Sequence, residues 1–219
     1  MEDQLERVGV VIPCHNEQER VREVILKTKK HASTIVAVND GSTDNTLEVL
    51  RNADVAYVSY PLNMGKGFAL RKGIDYLLQK TNVDYVVVMD ADWQHNPEEI
   101  PTLVANCQGI TCGVRSGNQP RDRQFGNKLI NWWLRIVWGI QSRDSQCGFR
   151  ALTKEAYEKV RWKSNDYFIE TEMLIRAKKQ KVPVNETPVQ MIYHDNYKGQ
   201  DVIGGIKICF GILAQRFMA

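Results

Sequence analysis

Residues 8–42 read VGVVIPCHNEQERVREVILKTKKHASTIVAVNDGS and alternate between apolar and helical patterns. The apolar run Val8–Ile12 is mostly β-branched, which favours a buried strand, and Ile35–Val38 is a second run of the same kind. Between these runs, Glu17–Lys30 carries apolar residues at helical spacing. A strand, a helix and a strand in this order predict a βαβ unit whose two strands are parallel.

The same alternation continues toward the C-terminus as far as residue 114. Apolar runs at Val55–Tyr60, Tyr85–Met89 and Ile110–Val114 predict three further strands, and Gly65–Gln79 predicts a helix between the first two of them. Strands that are apolar throughout are typical of a parallel sheet with helices on both faces. The sequence therefore predicts an α/β fold, Rossmann-like in layout, with a mostly parallel sheet.

After residue 115 the alternation breaks down. Leu129–Ile140, which reads LINWWLRIVWGI, is apolar on nearly every side and lies in a basic stretch of the chain. This composition favours a helix on a lipid surface with anionic head groups over a nucleic-acid site, and packing into the core is the alternative. The other predicted segments are loops at Arg115–Arg123 and Arg143–Arg150, helices at Lys154–Val160, Phe168–Gln180 and Val202–Met218, and an extended ribbon at Val182–Tyr193. We divide the chain into a domain at 1–201 and an apolar C-terminal helix at 202–219.

Composition and charge exclude several classes of protein. The chain has 219 residues, 43% of them hydrophobic and 25% charged, which suits one globular domain with a sizeable core. A formal net charge of +3 is too small to indicate a nucleic-acid partner. The five cysteines are scattered and never spaced as CxxC, which argues against a disulfide framework or a zinc site. The N-terminus is polar, and no apolar run reaches the ~18 residues that a spanning helix needs, so we expect a cytoplasmic protein.

Polar clusters follow three of the predicted strands, at residues 15–17, 39–42 and 90–95. Because ligands of parallel sheets bind at the carboxyl ends of the strands, we expect these clusters at one functional edge. The strongest cluster contains Asp90 and Asp92, two acids whose charges raise each other's pKa unless a cation is close. With the amide oxygen of Gln94 they form an oxygen donor set that suits Mg2+ or Mn2+. The alternative is a solvated turn with a helix-capping acid.

Five other polar residues are candidates for ligand contacts or local structure, and three of them have two interpretations. Asp40 is expected to accept hydrogen bonds from a nucleobase or a ribose, although an Asx turn would use the same side chain. We expect Asp44 to cap the following helix, whereas Glu17 suits either a ligand contact or a helix N-terminus. Lys66 is a candidate for a phosphate contact. Asp144 lies among arginines that would keep it ionised, either as a proton acceptor or as one half of a structural Asp–Arg pair.

Six motifs cover nearly the whole chain in collinear order. They are VVIPCHNE (10–17), VNDGSTDNT (38–46), NMGKGFALRKGID (63–75), VMDADWQHNPEEI (88–100), DSQCGFR (144–150) and FIETEMLIRAKKQ (168–180). In this order they resemble the family 2 glycosyltransferases with a GT-A fold, in the branch that acts on polyprenyl phosphates and includes the dolichol-phosphate mannose synthases. The C-terminal IYHDNYKGQDVIGG departs from the mannose synthases and is similar to polyprenyl-phosphate glycosyltransferases of unassigned sugar. A second departure is His15, where the family usually has a tyrosine.

The resemblance implies a role for several numbered residues. It implies that the donor nucleotide and sugar are bound by Pro13, His15, Glu17, Asn39, Asp40, Lys66, Asp90, Ala91, Asp92, Gln94 and Glu172. Among these, it implies that Mg2+ or Mn2+ is held by Asp90, Asp92 and Gln94. It further implies that Asp144 and Asp92 are catalytic, and that Arg115, Arg123 and Lys128 meet the acceptor phosphate. Glu170 would lie with Glu172 in the helix that closes the sugar pocket.

These observations lead to one expected function. We expect an inverting, metal-dependent glycosyltransferase that moves a sugar from a GDP- or UDP-sugar to a dolichyl or undecaprenyl phosphate. Leu129–Ile140 and Val202–Met218 would attach it peripherally to the cytoplasmic face of a membrane, directly or through a small membrane subunit. Two alternatives stay open: a glycosyltransferase with a soluble or protein-bound acceptor, and a catalytically silent module that binds nucleotide sugars. No nucleic-acid partner is expected.

Overall fold

The computed structural model describes residues 6–105, 107–116, 121–192 and 202–217. The strands are β1 (Val8–Cys14), β2 (Thr34–Asp40), β3 (Ala56–Tyr60), β4 (Tyr85–Val88), β5 (Ile110–Ser116), β6 (Arg150–Thr153) and β7 (Val184–Gln190). The helices are α1 (Val21–Thr28), α2 (Thr46–Arg51), α3 (Lys66–Lys80), α4 (Ile100–Ala105), α5 (Arg121–Trp138), α6 (Lys154–Val160), α7 (Ile169–Gln180) and α8 (Val202–Phe217). A short 3-10 helix at Pro97–Glu99 precedes α4.

The strands form a single sheet in the order β3-β2-β1-β4-β6-β5-β7. The pairs β1–β2, β1–β4, β2–β3 and β5–β7 are parallel, whereas β6 is antiparallel to both of its neighbours. The predicted α/β fold with a mostly parallel sheet is therefore confirmed. Because Val11 lies level with Val88 and Cys14 lies level with Asn39, the polar clusters at 15–17, 39–42 and 90–95 all leave the sheet at the same edge.

Both faces of the sheet are buried, because successive side chains of a strand point to opposite faces. Val11 and Val36 pack into a core that includes residues of α3, α5, α6, α7 and α8. Their neighbours Val10 and Ala37 pack on the other face, with residues of α1, α2 and α4. The continuous apolar strands thus have the two-sided cover that their sequence predicts.

Two helices begin elsewhere than the sequence pattern predicts. α1 begins at Val21 rather than at Glu17, because hydrogen bonds tie the preceding segment to residues 42–46, such as the one from the Glu17 backbone N–H to Thr46 Oγ1 (2.8 Å). α5 begins at Arg121 rather than at Leu129, so the end of the predicted loop Arg115–Arg123 is helical. Residues 117–120 of that loop lie outside the described part of the chain.

Strand β6 is the element that the sequence pattern misses. It has four residues, and its first residue, Arg150, is the last one of the predicted polar loop. An arginine favours a loop by composition, but this guanidinium is fully buried and donates to the carbonyl oxygens of Ser145 (2.7 Å), Cys147 (2.9 Å) and Glu170 (2.7 Å). Pairing with β4 and β5, which are distant in sequence, makes a strand out of a segment with little strand character of its own.

Helix α8 packs against α5 and α7. Ile208 and Ile212 are buried in the core that these helices share, and Trp138 Nε1–H donates to the carbonyl oxygen of Ile212 (3.0 Å). The charged ends of Lys179 and Arg216 lie 4.9 and 5.4 Å from the centre of the Trp138 ring. None of the helices in the described residues has the length and apolar character needed to cross a bilayer.

Candidate active site

A cavity of about 1050 Å³ opens at the edge where the three polar clusters meet. The predicted site residues that line it are Pro13, His15, Glu17, Asp40, Lys66, Asp90, Ala91, Asp92, Gln94 and Arg115. Residues from four of the six motifs and from the start of the predicted loop at 115–123 therefore face a single space. Asn39, Asp144 and Glu172 are buried outside its lining, Lys128 is exposed on α5 outside it, and the side chain of Arg123 lies outside the described residues.

Asp90 is held in place from two sides. Its Oδ1 lies 2.7 Å from Lys66 Nζ, and its backbone N–H donates to His95 Nδ1 at 3.0 Å. Burial would raise the pKa of Asp90, but the Lys66 ammonium outweighs this and holds it below its usual value. Burial also lowers the pKa of His95 to about 4, so the ring is neutral at pH 7 and can accept the Asp90 N–H. Asp90 therefore carries a charge that the protein itself already neutralises.

Asp92 is in a different electrostatic position. Its Oδ1 accepts the backbone N–H of Gln94 (3.1 Å), and within the described residues it takes part in none of the ion pairs. Burial, reinforced by the charge of Asp90, raises the pKa of Asp92 from 3.8 to about 6. Because burial and Asp90 destabilise the ionised form of Asp92, a cation that binds together with a ligand would stabilise this carboxylate.

The donor set suits a divalent cation. The Asp92 carboxylate and the buried Gln94 amide face the same cavity, with Asp90 adjacent, and Mg2+ and Mn2+ prefer such oxygen ligands. In the described part of the chain, no group of three or more His, Cys, Asp or Glu side chains has the spacing to hold a metal ion. An ion here would therefore complete its coordination with amide, water or ligand oxygens, which is usual for Mg2+ bound with a phosphate.

Lys66, the first residue of α3, is bound to carboxylates on two sides. Besides Asp90 it contacts Glu170, with 3.0 Å between Nζ and Oε1. Burial would lower the pKa of Lys66, but the two carboxylates outweigh this and raise it, so the ammonium stays charged. Lys66 thus links the Asp90 loop to α7, and its phosphate contact stays a prediction.

The two acids at the start of α7 have different environments. Glu170 lines the cavity, whereas Glu172 is fully buried and accepts hydrogen bonds from the backbone N–H groups of Lys163 (2.9 Å) and Ser164 (2.8 Å) and from Arg176 Nε (2.6 Å). The physical reason is that residues two apart on a helix differ in direction by about 200°. Spacing alone does not tell which of the two acids faces the cavity.

The part of the cavity predicted to hold the nucleotide is built by turns. Asp40 accepts the backbone N–H groups of Met64 (2.7 Å) and Gly65 (2.9 Å), and Gly65 has a φ of 92° that favours glycine. His15 Nδ1 lies 2.8 Å from the Asp40 carbonyl oxygen, and since a carbonyl only accepts, this nitrogen carries the hydrogen. A neutral His15 therefore has Nε2 as a hydrogen-bond acceptor.

Asn39 and Asp44 have local structural contacts. Asn39 Nδ2 donates to Ser59 Oγ (2.9 Å), and Asn39 Oδ1 accepts the backbone N–H of Ser42 (3.3 Å), three residues on. Asp44 Oδ1 accepts the backbone N–H of Thr46 (2.9 Å), the first residue of α2, although the residue at the N-cap position is Asn45, whose side chain makes no capping hydrogen bond. The Asx turn considered for Asp40 does not describe its contacts, because the Asp40 carboxylate accepts from Met64 and Gly65.

Asp144 forms the centre of a buried network behind Arg115. Its side chain is 3% exposed and accepts bonds from Arg115 Nε (2.7 Å), Nη2 (2.8 Å) and backbone N–H (3.1 Å), and from Asn127 Nδ2 (2.9 Å). Arg115 and Asn127 line the cavity and Asp144 does not. The structure thus contains the Asp–Arg pair considered from sequence, and the role of Asp144 as a base stays a prediction.

Sequence reasoning overlooks Asn127 and Asn131 of α5. In addition to the Asn127 contact, Asn131 Nδ2 donates to the Arg143 carbonyl oxygen (3.0 Å), and Asn131 Oδ1 accepts the Ser145 N–H (3.2 Å). The two amides are four residues apart and so share one face of the helix, which connects α5 to the loop of Asp144. The sequence signal for this contact is the pair itself, because two amides four residues apart in a largely apolar segment mark one polar position on the helix.

The lining of the cavity continues into an apolar part made by α5 and α8. Its apolar side chains come from Phe125, Leu129, Ile130 and Trp133 on α5 and from Ile206, Cys209, Phe210 and Leu213 on α8. The core interpretation of the tryptophan-rich segment holds for Ile130 and Leu134, which are buried. Trp132 and Ile136 are 53% and 58% exposed, and their interfacial role stays a prediction. We call the exposed apolar surface of Phe125, Leu129, Trp132, Ile136, Ile206 and Phe210 the α5–α8 face.

Comparisons with known proteins identify the family of this chain. Residues 9–161 match the family described as Glycosyl transferase family 2. A protein of Methanocaldococcus jannaschii without an assigned activity is 32% identical over 96% of this chain and 93% of its own. The UDP-N-acetylglucosamine–dolichyl-phosphate N-acetylglucosaminyltransferase of Methanococcus voltae is 27% identical over 94% of each chain.

A solved structure shows the same fold. Glucosyl-3-phosphoglycerate synthase of Mycobacterium tuberculosis, in complex with Mn2+, UDP and glucosyl-3-phosphoglycerate, superimposes with a TM-score of 0.75 at 18% identity. The superposition covers 96% of this chain and 80% of that one. With a family match over more than half of its length, and with this fold, the chain belongs to glycosyl transferase family 2 and is a glycosyltransferase of the GT-A type.

Proposed function

We propose that this glycosyltransferase moves a sugar from a nucleotide sugar to a polyprenyl phosphate, with a divalent cation and with inversion at the anomeric carbon. The observation that carries the proposal is the continuity of one cavity, whose lining joins the charged cluster around Asp92 to the apolar side chains of α5 and α8. A polyprenyl phosphate has the same two parts, an anionic head and a long apolar chain. The dolichyl-phosphate acceptor in the name of the Methanococcus voltae relative supports this choice.

The residues around the cavity suit distinct tasks in such a transfer. Asp92, with Asp90 and Gln94, would hold a divalent cation, which when bound supplies positive charge for the leaving nucleoside diphosphate. Arg115 would bind the acceptor phosphate, because a guanidinium matches phosphate geometry. Asp144 fixes the orientation of Arg115, and Asn127 in turn donates to Asp144. A phosphate oxygen is already a competent nucleophile, so Asp144 serves the reaction by holding Arg115 whether or not it also accepts a proton.

The direct test is a transfer assay with the purified protein. UDP-N-acetylglucosamine, UDP-glucose and GDP-mannose are each incubated with undecaprenyl or dolichyl phosphate in vesicles, with Mn2+ or with EDTA. We expect a glycosylated lipid from at least one donor, abolished by EDTA, with the anomeric configuration opposite to that of the donor. Transfer only to a soluble phosphorylated acceptor would contradict the lipid acceptor, and nucleotide-sugar binding without transfer to any acceptor would contradict the enzyme's proposed reaction.

The α5–α8 face predicts binding to anionic vesicles. Burying a large apolar side chain contributes about 1.5–3 kcal/mol, so Trp132→Ser with Ile136→Ser is expected to weaken binding by a hundredfold or more. Trp133 is unsuitable for this test because it packs against the core and lines the cavity. The matched control is Leu26→Ser with Tyr57→Ser, two exposed apolar residues elsewhere on the surface. Vesicle co-sedimentation measures the effect, and equal binding by the wild type and both double variants would contradict the assignment of this face to lipid.

A further inference from the structure

The loop at residues 90–95, which carries the proposed metal ligands, is closed by a hydrogen bond between its two ends. The backbone N–H of Asp90 donates to Nδ1 of His95 at 3.0 Å. Within the loop, the backbone N–H of Gln94 donates to Asp92 Oδ1 at 3.1 Å. Bonds from side chains to nearby backbone give a segment a defined shape without a helix or a strand. The 90–95 loop is therefore shaped by its own side chains.

The loop also contains a residue in a strained backbone conformation. Trp93 has a φ of 68°, in the left-handed region that residues with a Cβ rarely adopt. Such a conformation persists only where the surrounding structure imposes it. The bond from Asp90 to His95 is one contact that does so, because it fixes the distance between the residues on either side of Trp93.

His95 is itself held by the core of the protein. Its ring is buried and stacks on the ring of Phe149, with 4.9 Å between the ring centres and 13° between the planes. Its backbone pairs with Met191 in an isolated antiparallel bridge, and the backbone N–H of Ile192 donates to the Gln94 carbonyl oxygen (3.0 Å). Because these two residues follow β7 directly, His95 connects the loop to the sheet.

The geometry determines how His95 acts on Asp90. A backbone N–H only donates, so Nδ1 is the accepting nitrogen and the hydrogen of the neutral ring lies on Nε2. Nε2 is 3.9 Å from Asp90 Oδ2, which is too long for a hydrogen bond. His95 therefore holds the Asp90 backbone, whereas Lys66 holds its carboxylate.

We infer that His95 is a positioning residue, which holds Asp90, Asp92 and Gln94 in the arrangement that binds the cation by accepting the Asp90 N–H. The inference rests on the proposed function, because the cation belongs to the proposed transfer. Removing a residue that orients metal ligands from behind typically weakens metal affinity by roughly ten- to a hundredfold. The effect depends on an acceptor at the position of Nδ1 and needs no contact between His95 and the substrate.

The test compares two amides at position 95. The side-chain oxygen of His95→Asn can take the place of Nδ1, because both atoms are the same number of bonds from Cβ. The amide of His95→Gln reaches the place of Nε2 instead, and both variants lose the ring that stacks on Phe149. His95→Phe is the complement, since it keeps a ring and has no acceptor. The control is His31→Asn, a partly exposed histidine outside the cavity lining.

Two measurements separate positioning from a general loss of structure. Calorimetry gives the dissociation constants of UDP and GDP, each with Mn2+ and with EDTA. Hydrogen exchange at the Asp90 amide of the metal-free protein reports the bond to position 95 directly, without any ligand. Thermal unfolding shows which variants are folded.

The expected result is a rescue by asparagine alone. With Mn2+, His31→Asn and His95→Asn bind the diphosphate within about threefold of the wild type, whereas His95→Gln and His95→Phe bind it roughly tenfold or more weakly. With EDTA, all variants bind the diphosphate alike. The Asp90 amide exchanges faster in the glutamine and phenylalanine variants than in the wild type and His95→Asn.

Two outcomes would overturn the inference. Equal weakening by His95→Asn and His95→Gln would assign the effect to ring packing, and wild-type affinity in both His95→Gln and His95→Phe would show that the acceptor is not needed. If one class of variant does not fold, the other decides, because the amides and His95→Phe test the same acceptor independently. Failure of the proposed function appears separately, as a wild type whose affinity for both diphosphates does not depend on Mn2+.

Discussion

Replacing Asp92 by asparagine is expected to lower the rate of glycosyl transfer by about a thousandfold or more. The divalent cation that would stabilise the leaving group by several kcal/mol then loses its carboxylate ligand. The same substitution is expected to raise the stability of the ligand-free protein. The reason is that burial and the charge of Asp90 raise the pKa of Asp92 to about 6, so the ionised form present at neutral pH is electrostatically destabilised. Activity and stability should therefore change in opposite directions.

The pH dependence of stability has a definite sign. The folded protein holds a proton on Asp92 up to about pH 6, whereas the unfolded chain releases it near 3.8. Asp92 contributes stability that is fully present below pH 3.8 and is lost as the pH rises through about 6. The loss is on the order of 3 kcal/mol. This loss should be absent in Asp92→Asn.

Urea unfolding across this pH window, without divalent ions, measures the difference between the wild type and Asp92→Asn. Added Mn2+ with a nucleoside diphosphate should then stabilise the wild type and leave the variant nearly unchanged. The control is Asp54→Asn, because the Asp54 side chain is fully exposed and asparagine tolerates its positive φ of 51°. A variant that transfers sugar at the wild-type rate, or that gains the same stability from Mn2+, would contradict the metal-ligand role of Asp92.

Replacing Arg115 by methionine is expected to reduce the free energy of unfolding by about 3–5 kcal/mol, because Asp144 would be left buried without its charged partner. The substitution should also abolish transfer, since Arg115 is the proposed contact of the acceptor phosphate. Combining Arg115→Met with Asp144→Asn removes the stranded charge, so the double variant should regain most of the stability. It should not regain activity.

The chain offers a matched control for this experiment. Arg143 pairs with Glu186 in the same way, with 2.8 Å between Nε and Oε2, but the Arg143 side chain is 60% exposed. Arg143→Met should therefore cost less than about 1 kcal/mol. If it destabilises the protein as much as Arg115→Met does, burial is not the cause of the effect. An active double variant would contradict the role of Arg115 in transfer.

The sheet and its functional edge are predictable from local pattern. Continuous apolar strands such as Val8–Ile12 leave few arrangements other than a parallel sheet covered on both faces, and parallel strands bring their carboxyl ends to one edge. Asp90, Asp92 and Gln94 follow directly after such a strand, so their place in the cavity needs no information beyond the order of the elements.

The partners of the charged side chains depend on contacts between distant segments. Lys66 and Glu170 are 104 positions apart in the chain, and Arg115 and Asp144 are 29 apart, so no local pattern shows that they pair. Helical rotation of about 100° per residue separates Glu170 from Glu172, and only the packing of α7 determines which of them meets the cavity. Residues next to one another along the chain specify the elements, whereas charge pairing and cavity shape follow from which buried surfaces come together in the folded molecule.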